Sequence, residues 1–396
     1  MLKTEVNPAY QQNESRLLSQ SQLNWLGKAK AFASSIPLED IIKADKENTF
    51  RRDLFETACQ EGFGALPFPT TYGGTGGDYV SFCLVNEEFA RKCVPIMSSL
   101  GVHVLCQEPI YRFGTEAQKS KYLVPASSGK YLAAFGLTEP SAGSDTAALK
   151  TCAELSDDQY LLNGTKTFIT SGGAADFYIV MARLKTSHGA EAAGSKSITA
   201  FIVEKDFPGF QIGQKFDMLG MRGYATCEIV FDNCRVPKQN LLGEPGMGRT
   251  VALSSLAKGR VTIAAQATGW AQCALDAIVE HLSEGYRTGT LDRDLNGLHY
   301  LVGELAVLVA SARALTYEAA RKIDFGESDV TVAAMAKVQA TDTATRVATE
   351  AISILGLKGL KPELLIERIF RDAKAGPIYE GTNQIQRLLI SRHLLK

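Results

Sequence analysis

The spacing of hydrophobic and polar residues changes twice along the chain. From about residue 13 to 125, apolar positions recur every three to four residues, as in segments 51–61 and 79–92. This spacing is typical of helices that bury one face. Between about 130 and 237, short alternating or β-branched runs replace it, and turn pairs such as Asn163-Gly164 separate them. The runs are 131–137, 160–162, 165–170, 177–182, 198–203 and 225–231.

The helical spacing returns after Pro237 and continues to the end of the chain. The runs cover 247–284, 294–322, 328–356 and 362–375. They are long enough to form an antiparallel helical bundle. We therefore predict an α+β protein with three domains. These are a helical N-terminal domain (1–128), a middle antiparallel β domain (129–238) and a C-terminal helical bundle (239–396).

Composition and charge exclude several classes of protein. The 42 basic and 43 acidic side chains give a net charge of -1, so no overall field attracts nucleic acid or an anionic membrane. The eight cysteines are scattered without a C-x-x-C pair, which favours free thiols in a reducing compartment over zinc ligands. We see neither a signal peptide nor an apolar run of the ~20 residues that a membrane span needs. We expect a cytoplasmic protein that neither binds nucleic acid nor inserts into membranes.

Two segments at predicted strand ends carry candidate ligand contacts. Segment 136–145 combines a proline, small residues and three hydroxyl side chains, and segment 166–173 places an aromatic ring and hydroxyls beside glycines. Backbone N–H groups and hydroxyls in such turns can bind a polar heterocycle or a phosphate. On the residues alone, each segment is either that surface or an ordinary turn.

A third segment, 371–387, contains a carboxylate suited to acid–base chemistry. Gly376 and Pro377 should end one helix, and Thr382 or Asn383 can cap the next, which places Glu380 on the connection. Aliphatic surroundings would raise the pKa of Glu380 towards the range of a general base. The alternative is a solvated loop glutamate or a helix cap.

Together, these segments resemble those of the acyl-CoA dehydrogenases over nearly the whole chain. The similarity is carried by Gly136–Asp145, by Leu219–Gly223 leading into Glu228–Pro237, and by Tyr379–Arg387. It implies N-terminal helices, a middle β domain and a C-terminal four-helix bundle. It also implies FAD as the cofactor and a homo-oligomer, either a tetramer or a dimer.

The resemblance assigns a role to each candidate site residue. Glu380 would take the α-proton of an acyl thioester while the β-carbon gives a hydride to flavin N5. The other assignments are flavin contacts for Phe135, Leu137, Thr138, Phe168, Thr170, Thr382 and Gln384, and substrate contacts for Ser144, Tyr379, Gly381 and Arg260. Some relatives carry the base just before this arginine, but Gly259 occupies that position here. Arg260 itself either packs near the base or is an ordinary surface arginine.

Two segments depart from the family pattern. Segment 284–289 lacks the expected Arg-x-x-Phe-Gly element, so Arg287 would have to contact the distal half of FAD in its place. Segment 355–359 lacks the expected Gly-Gly-x-Gly turn. Three readings follow. The first is an acyl-CoA dehydrogenase that passes electrons to an electron-transfer flavoprotein. The second is an acyl-carrier-protein dehydrogenase or an oxidase of a specialised biosynthetic pathway, and the third is a non-catalytic relative that has lost FAD.

Overall fold

Helices form the first part of the molecule, as the apolar spacing predicts. The computed structural model describes residues 18–185, 197–292, 295–327 and 329–395. Ser19 and Asp78 cap two of these helices by accepting hydrogen bonds from the backbone of the first turn. The helices are α1 (Gln20–Ser35), α2 (Leu38–Glu47), α3 (Arg52–Gln60), α4 (Tyr79–Arg91), α5 (Met97–Phe113), α6 (Glu116–Gln118) and α7 (Val124–Ser127).

The middle of the chain forms one eight-stranded sheet. Its strand order is β6-β7-β3-β2-β4-β5-β8, and β1 joins it through β4. Most neighbours are antiparallel, but β1 and β2 each pair with β4 in parallel, so the sheet is not wholly antiparallel. The strands are β1 (Ala133–Gly136), β2 (Cys152–Ser156), β3 (Gln159–Ile169), β4 (Phe177–Leu184), β5 (Ile198–Glu204), β6 (Phe210–Lys215), β7 (Cys227–Pro237) and β8 (Leu241–Leu242).

The prediction of a turn at Asn163-Gly164 is wrong. Both residues lie inside β3, where the pairing with β7 shifts register between Leu162 and Gly164. A Cβ on Gly164 would lie 2.6 Å from the Thr151 hydroxyl, so this glycine allows a close approach of neighbouring chain segments. Three strands, β2, β6 and β8, were not predicted. β6 is largely exposed and polar, and β8 has only two residues, so neither shows a hydrophobic period.

In the described part of the chain five helices follow the sheet, four of them close to the predicted runs and the fifth beginning at the predicted cap. They are α8 (Gly248–Thr288), α9 (Asn296–Asp324), α10 (Val330–Leu355), α11 (Ile366–Ala373) and α12 (Asn383–Leu394). Helix α8 is buried over most of its length. By length and composition alone, α9 could span a membrane, but one such helix is only a weak indication of a membrane protein. In its most apolar window, 17% of the residues are buried. The domain limits at 128 and 238 stay a prediction.

Helix α11 is tied to both earlier parts of the chain. The fully buried Arg368 donates a hydrogen bond to the Ile41 carbonyl, and Arg371 forms an ion pair with Asp45 at 2.7 Å. The carboxylate of Asp372 accepts a hydrogen bond from the Met221 amide at 2.5 Å. Because α11 leads directly into the segment that carries Glu380, these contacts fix one end of that segment.

Candidate active site

Glu380 lies on the connection between α11 and α12. Its backbone φ is +55° and that of Gly381 is +87°, so two consecutive residues adopt the left-handed conformation. Thr382 then caps α12, since its hydroxyl accepts a hydrogen bond from the Ile385 amide. A left-handed glutamate is uncommon and persists only where neighbouring groups hold it. We call residues 377–383 the base loop.

Side chains from two helices hold the carbonyl groups of the base loop. The Lys337 ammonium donates to the Gly381 carbonyl at 3.0 Å and to the Asn383 side-chain oxygen at 2.8 Å. The Gln386 amide donates to the Gly381 carbonyl at 3.0 Å and to the Glu380 carbonyl at 3.3 Å. Sequence reasoning missed both residues. The available signal was a lone lysine within the alanine-rich sequence of α10.

The Glu380 carboxyl group has the environment of a general base. Its Oε2 atom is buried and has no hydrogen-bond partner in the part of the chain that the structure describes. Burial raises the pKa of Glu380 to about 7, although the charges of Arg260 and Lys337 favour the ionised form. The backbone N–H of Glu380 likewise makes no hydrogen bond to any described residue. Both groups are therefore available to a ligand.

Gly259 makes room for the base. A Cβ at this position would lie 3.0 Å from Glu380 Oε2 and 2.5 Å from the Leu105 side chain. The Glu380 carboxyl group therefore sits against the surface of α8 where that helix has no side chain. The glycine cannot act as a base, and it also provides the space that Glu380 occupies.

Arg260 is buried beside the base, so the surface-arginine alternative is wrong. The residue is 5% exposed, and its Nε atom has no hydrogen-bond partner among the described residues. Burial lowers its pKa, and the negative charge of Glu380 counteracts this effect. The hydroxyl of Tyr379 is also buried without a hydrogen-bond partner in the described chain. Three candidate residues, Glu380, Tyr379 and Arg260, thus present unsatisfied polar atoms.

A buried ion pair fixes the turn after β1. Lys166 and Glu139 lie 2.7 Å apart, and both side chains are almost fully buried. The Lys166 ammonium also donates to the Leu137 carbonyl, and the Thr167 amide donates to the Thr138 carbonyl at 2.9 Å. Burial lowers the pKa of Lys166 to about 8, which leaves it charged at neutral pH. The two candidate flavin segments, 135–138 and 168–170, are consequently adjacent.

The end of β3 presents an aromatic ring at the surface. Phe168 has a φ of +55°, is 56% exposed, and stacks on Phe216 with 4.6 Å between ring centroids. Thr170 follows and is half-buried. The next residue, Ser171, donates its hydroxyl to that of Ser99 on α5 at 2.8 Å. This bond ties the end of β3 to α5.

Helix α5 connects the two halves of the site. Its Leu105 belongs to a buried cluster against which Phe135 and Leu137 pack, and the same side chain lies next to Gly259. The same buried cluster therefore contacts the strand ends and, through Leu105, the surface of α8 beside the base. An exposed aromatic ring, a free backbone N–H and an unpaired carboxylate fit a flat heterocycle and a thioester. The residues present thus fit FAD.

Three residues predicted to contact ligands are exposed in the single chain. Ser144 is exposed on the loop after β1, and Arg287 is exposed in the last turn of α8. Gln384 is exposed in the first turn of α12, whereas its neighbour Gln386 is the glutamine that points inward. Their roles stay predictions. Within the described residues, no group of three or more histidine, cysteine or acidic side chains could hold a metal ion.

Comparisons with known proteins cover most of the chain. The acyl-CoA dehydrogenase N-terminal, middle and C-terminal domain families match residues 19–130, 134–234 and 246–395. An acyl-CoA dehydrogenase of Bacillus subtilis (strain 168) is 42% identical over 352 residues, which are 89% of this chain and 92% of that protein.

Solved structures agree with the sequence matches. Butyryl-CoA dehydrogenase from Megasphaera elsdenii superposes with a TM-score of 0.89 at 38% identity, covering 96% of this chain and 99% of that chain. A chain from a structure of the electron transferring flavoprotein of Acidaminococcus fermentans gives 0.90 at 39% identity, with the same coverage.

Proposed function

Because this chain belongs to the acyl-CoA dehydrogenase family, we propose that it oxidises the Cα–Cβ bond of an acyl-CoA with Glu380 as the base. It is a FAD-dependent oxidoreductase that acts on CH–CH bonds of acyl-CoA thioesters. One observation carries the assignment of the base. Glu380 combines a buried, unpaired carboxylate oxygen, a pKa near 7 and a free backbone N–H.

The residues of this chain divide the chemistry between them. Glu380 takes the α-proton, since a pKa of about 7 leaves much of it ionised near neutral pH. Its backbone N–H donates to the thioester oxygen, which becomes negative as the proton leaves. FAD, when bound, accepts the hydride that leaves the β-carbon. One proton and one hydride are thus removed, and the product is a 2-enoyl thioester.

The cofactor would lie along the strand ends. Phe135, Leu137 and Thr138 would contact the flavin ring from β1, and Phe168 and Thr170 would do so from β3. The Glu139–Lys166 ion pair supports this role, because it holds the first segment in place. Arg287, Thr382 and Gln384 complete the proposed cofactor contacts, and Ser144, Tyr379, Gly381 and Arg260 the proposed substrate contacts.

The relatives support a proposal for the carrier and for the electron acceptor. The Megasphaera elsdenii protein is named as a short-chain-specific acyl-CoA dehydrogenase, which favours coenzyme A over an acyl carrier protein and a short acyl group. An electron-transferring flavoprotein is the proposed electron acceptor, supported by the Acidaminococcus fermentans structure.

We also propose a homotetramer in the cytoplasm. Large apolar side chains on and beside α9 are exposed in the single chain, which favours a covering copy: Tyr300 (77%), Val307 (66%) and Phe325 (78%). The eight free cysteines support a reducing compartment. Sedimentation of the FAD-loaded protein should give the mass of four chains, and a stable monomer would contradict the tetramer.

The decisive experiment is anaerobic reduction of the bound flavin by butyryl-CoA. Glu380→Gln should retain FAD and bind butyryl-CoA but leave the flavin oxidised. Glu363→Gln, which changes an exposed glutamate, is the matched control and should react like the wild type. A Glu380→Gln rate within about five-fold of wild type would place the base elsewhere.

The carrier is tested with the same readout. Butyryl-CoA and butyryl-acyl carrier protein are compared as reductants, followed by timed admission of air. Faster reduction by the carrier-protein substrate, or rapid reoxidation by oxygen, would favour the alternative readings.

A further inference from the structure

Lys337 is a buried cation with no part in the chemistry described so far. It lies in the first half of α10, is completely buried, and directs its ammonium at the base loop. Its second acceptor, Asn383, is held in turn, since the Asn383 amide donates to Thr341 and Asp342. A buried lysine with fixed acceptors places its charge at one defined point.

That point is the carbonyl immediately after the base. The Gly381 carbonyl accepts from both Lys337 and Gln386, and the Glu380 carbonyl accepts from Gln386. These bonds hold the two carbonyl groups on the side of α10 and α12. The Glu380 N–H, in contrast, donates no hydrogen bond to any described residue. Hydrogen bonds to a charged donor are among the stronger ones, so Lys337 can hold the left-handed backbone at Glu380 and Gly381.

We propose that Lys337 is a positioning residue for the base loop, which holds the Gly381 carbonyl and thereby keeps the Glu380 carboxylate and N–H directed into the site. The proposal rests on the proposed role of Glu380. Lys337 acts through the loop and touches neither substrate nor cofactor in this assignment. Its loss should therefore impair the reaction step more than binding.

The charge of Lys337 adds an effect on ionisation. Groups near Glu380 come from four helices and the loop itself: Tyr79 on α4, Cys106 on α5, Arg260 on α8, Lys337 on α10 and Tyr379. Burial raises the pKa of Tyr79, Cys106 and Tyr379, so these three are neutral at pH 7. Arg260 and Lys337 are the two cations of this set, and both lower the pKa of Glu380. Removing one should raise it.

The test replaces Lys337 with methionine in the FAD-loaded protein. We expect the limiting rate of flavin reduction by butyryl-CoA to fall at least about ten-fold, while the dissociation constant changes less than about three-fold. The pH at which the rate is half-maximal should rise by about one unit. Deuterium uptake by a peptide covering 377–383 should increase. Lys374→Met, an exposed lysine just before the loop, is the control and should change none of these.

Lys337→Gln separates the effect of the hydrogen bond to the loop from the effect of the charge on the pKa of Glu380. It also replaces Lys337→Met as the test variant if that protein fails to fold. Its amide can still donate to Gly381, so the rate at high pH should recover partly while the midpoint stays raised. A folded Lys337→Met or Lys337→Gln protein with wild-type rate, pH midpoint and deuterium uptake would overturn the proposal. An active Glu380→Gln protein would instead overturn the role of Glu380, and the exchange measurement would still report on the loop.

Discussion

Glu380 should make the protein less stable as the pH rises. Its pKa is raised from 4.5 to about 7 by burial, so the folded state binds a proton that the unfolded chain has lost. The resulting loss of unfolding free energy is absent below pH 4.5, grows between pH 4.5 and 7, and is complete above pH 7. We call this loss the ionisation penalty. Since one pKa unit corresponds to about 1.4 kcal/mol, the full penalty is about 3 kcal/mol.

Replacing Glu380 with glutamine should remove this penalty. Glutamine keeps the shape of the side chain and cannot ionise. The unfolding free energy of Glu380→Gln minus that of wild type should increase by about 2 kcal/mol when the pH is raised from 5 to 8. Urea unfolding of both proteins at both pH values, followed by far-ultraviolet circular dichroism, measures this difference.

The change in unfolding free energy between the two pH values is compared between Glu380→Gln and wild type. This comparison separates the titration of Glu380 from that of all other groups. Glu363→Gln changes an exposed glutamate and should show the same pH dependence as wild type. If Glu380→Gln also follows wild type at both pH values, the carboxyl group is not desolvated, and the physical argument for its role as a base is refuted.

Three further predictions concern neighbouring groups. Gly259→Ala should displace Glu380, because the new Cβ would lie 3.0 Å from its Oε2 atom. We expect flavin reduction to slow at least about ten-fold while FAD stays bound. An unchanged rate in stopped-flow measurements would contradict this prediction. Lys166→Met should lower unfolding free energy by about 3 kcal/mol by leaving Glu139 buried and unpaired; a urea-measured loss under about 1 kcal/mol would contradict it. Burial lowers the pKa of His103 to about 4, so stability is lost as the pH falls below about 6.5. The destabilisation by His103→Asn should therefore shrink by about 2 kcal/mol from pH 7 to pH 5 in urea unfolding, and a constant difference would refute it.

Local patterns in the sequence predicted the order of elements and the position of Glu380. The long helices bury continuous apolar faces, so their spacing is visible in one dimension. The contacts that hold the site are not local. Lys337 lies 44 residues from Gly381 along the chain, and Glu139 lies 27 from Lys166. Nothing in the residues next to a lysine indicates which distant carbonyl or carboxylate it meets.

Backbone conformation was the other source of error. Asn163-Gly164 is typical of a hairpin turn, yet tertiary packing uses the glycine inside a strand, where the side chain of any other residue would strike Thr151. The sequence at Gly259 indicates only that this position cannot supply a base. Its steric role became visible only with Leu105 and Glu380 in place.

The attachment of α11 limits how far this enzyme can be divided into modules. Arg368 and Arg371 bind acceptors in α2, and Asp372 binds the loop before β7. A C-terminal fragment expressed alone would lose these contacts and keep only the ion pairs within α11, in the helix that leads directly into the base loop. Chimeras assembled from related enzymes should therefore inherit segments 38–47, 217–224 and 366–373 from one parent.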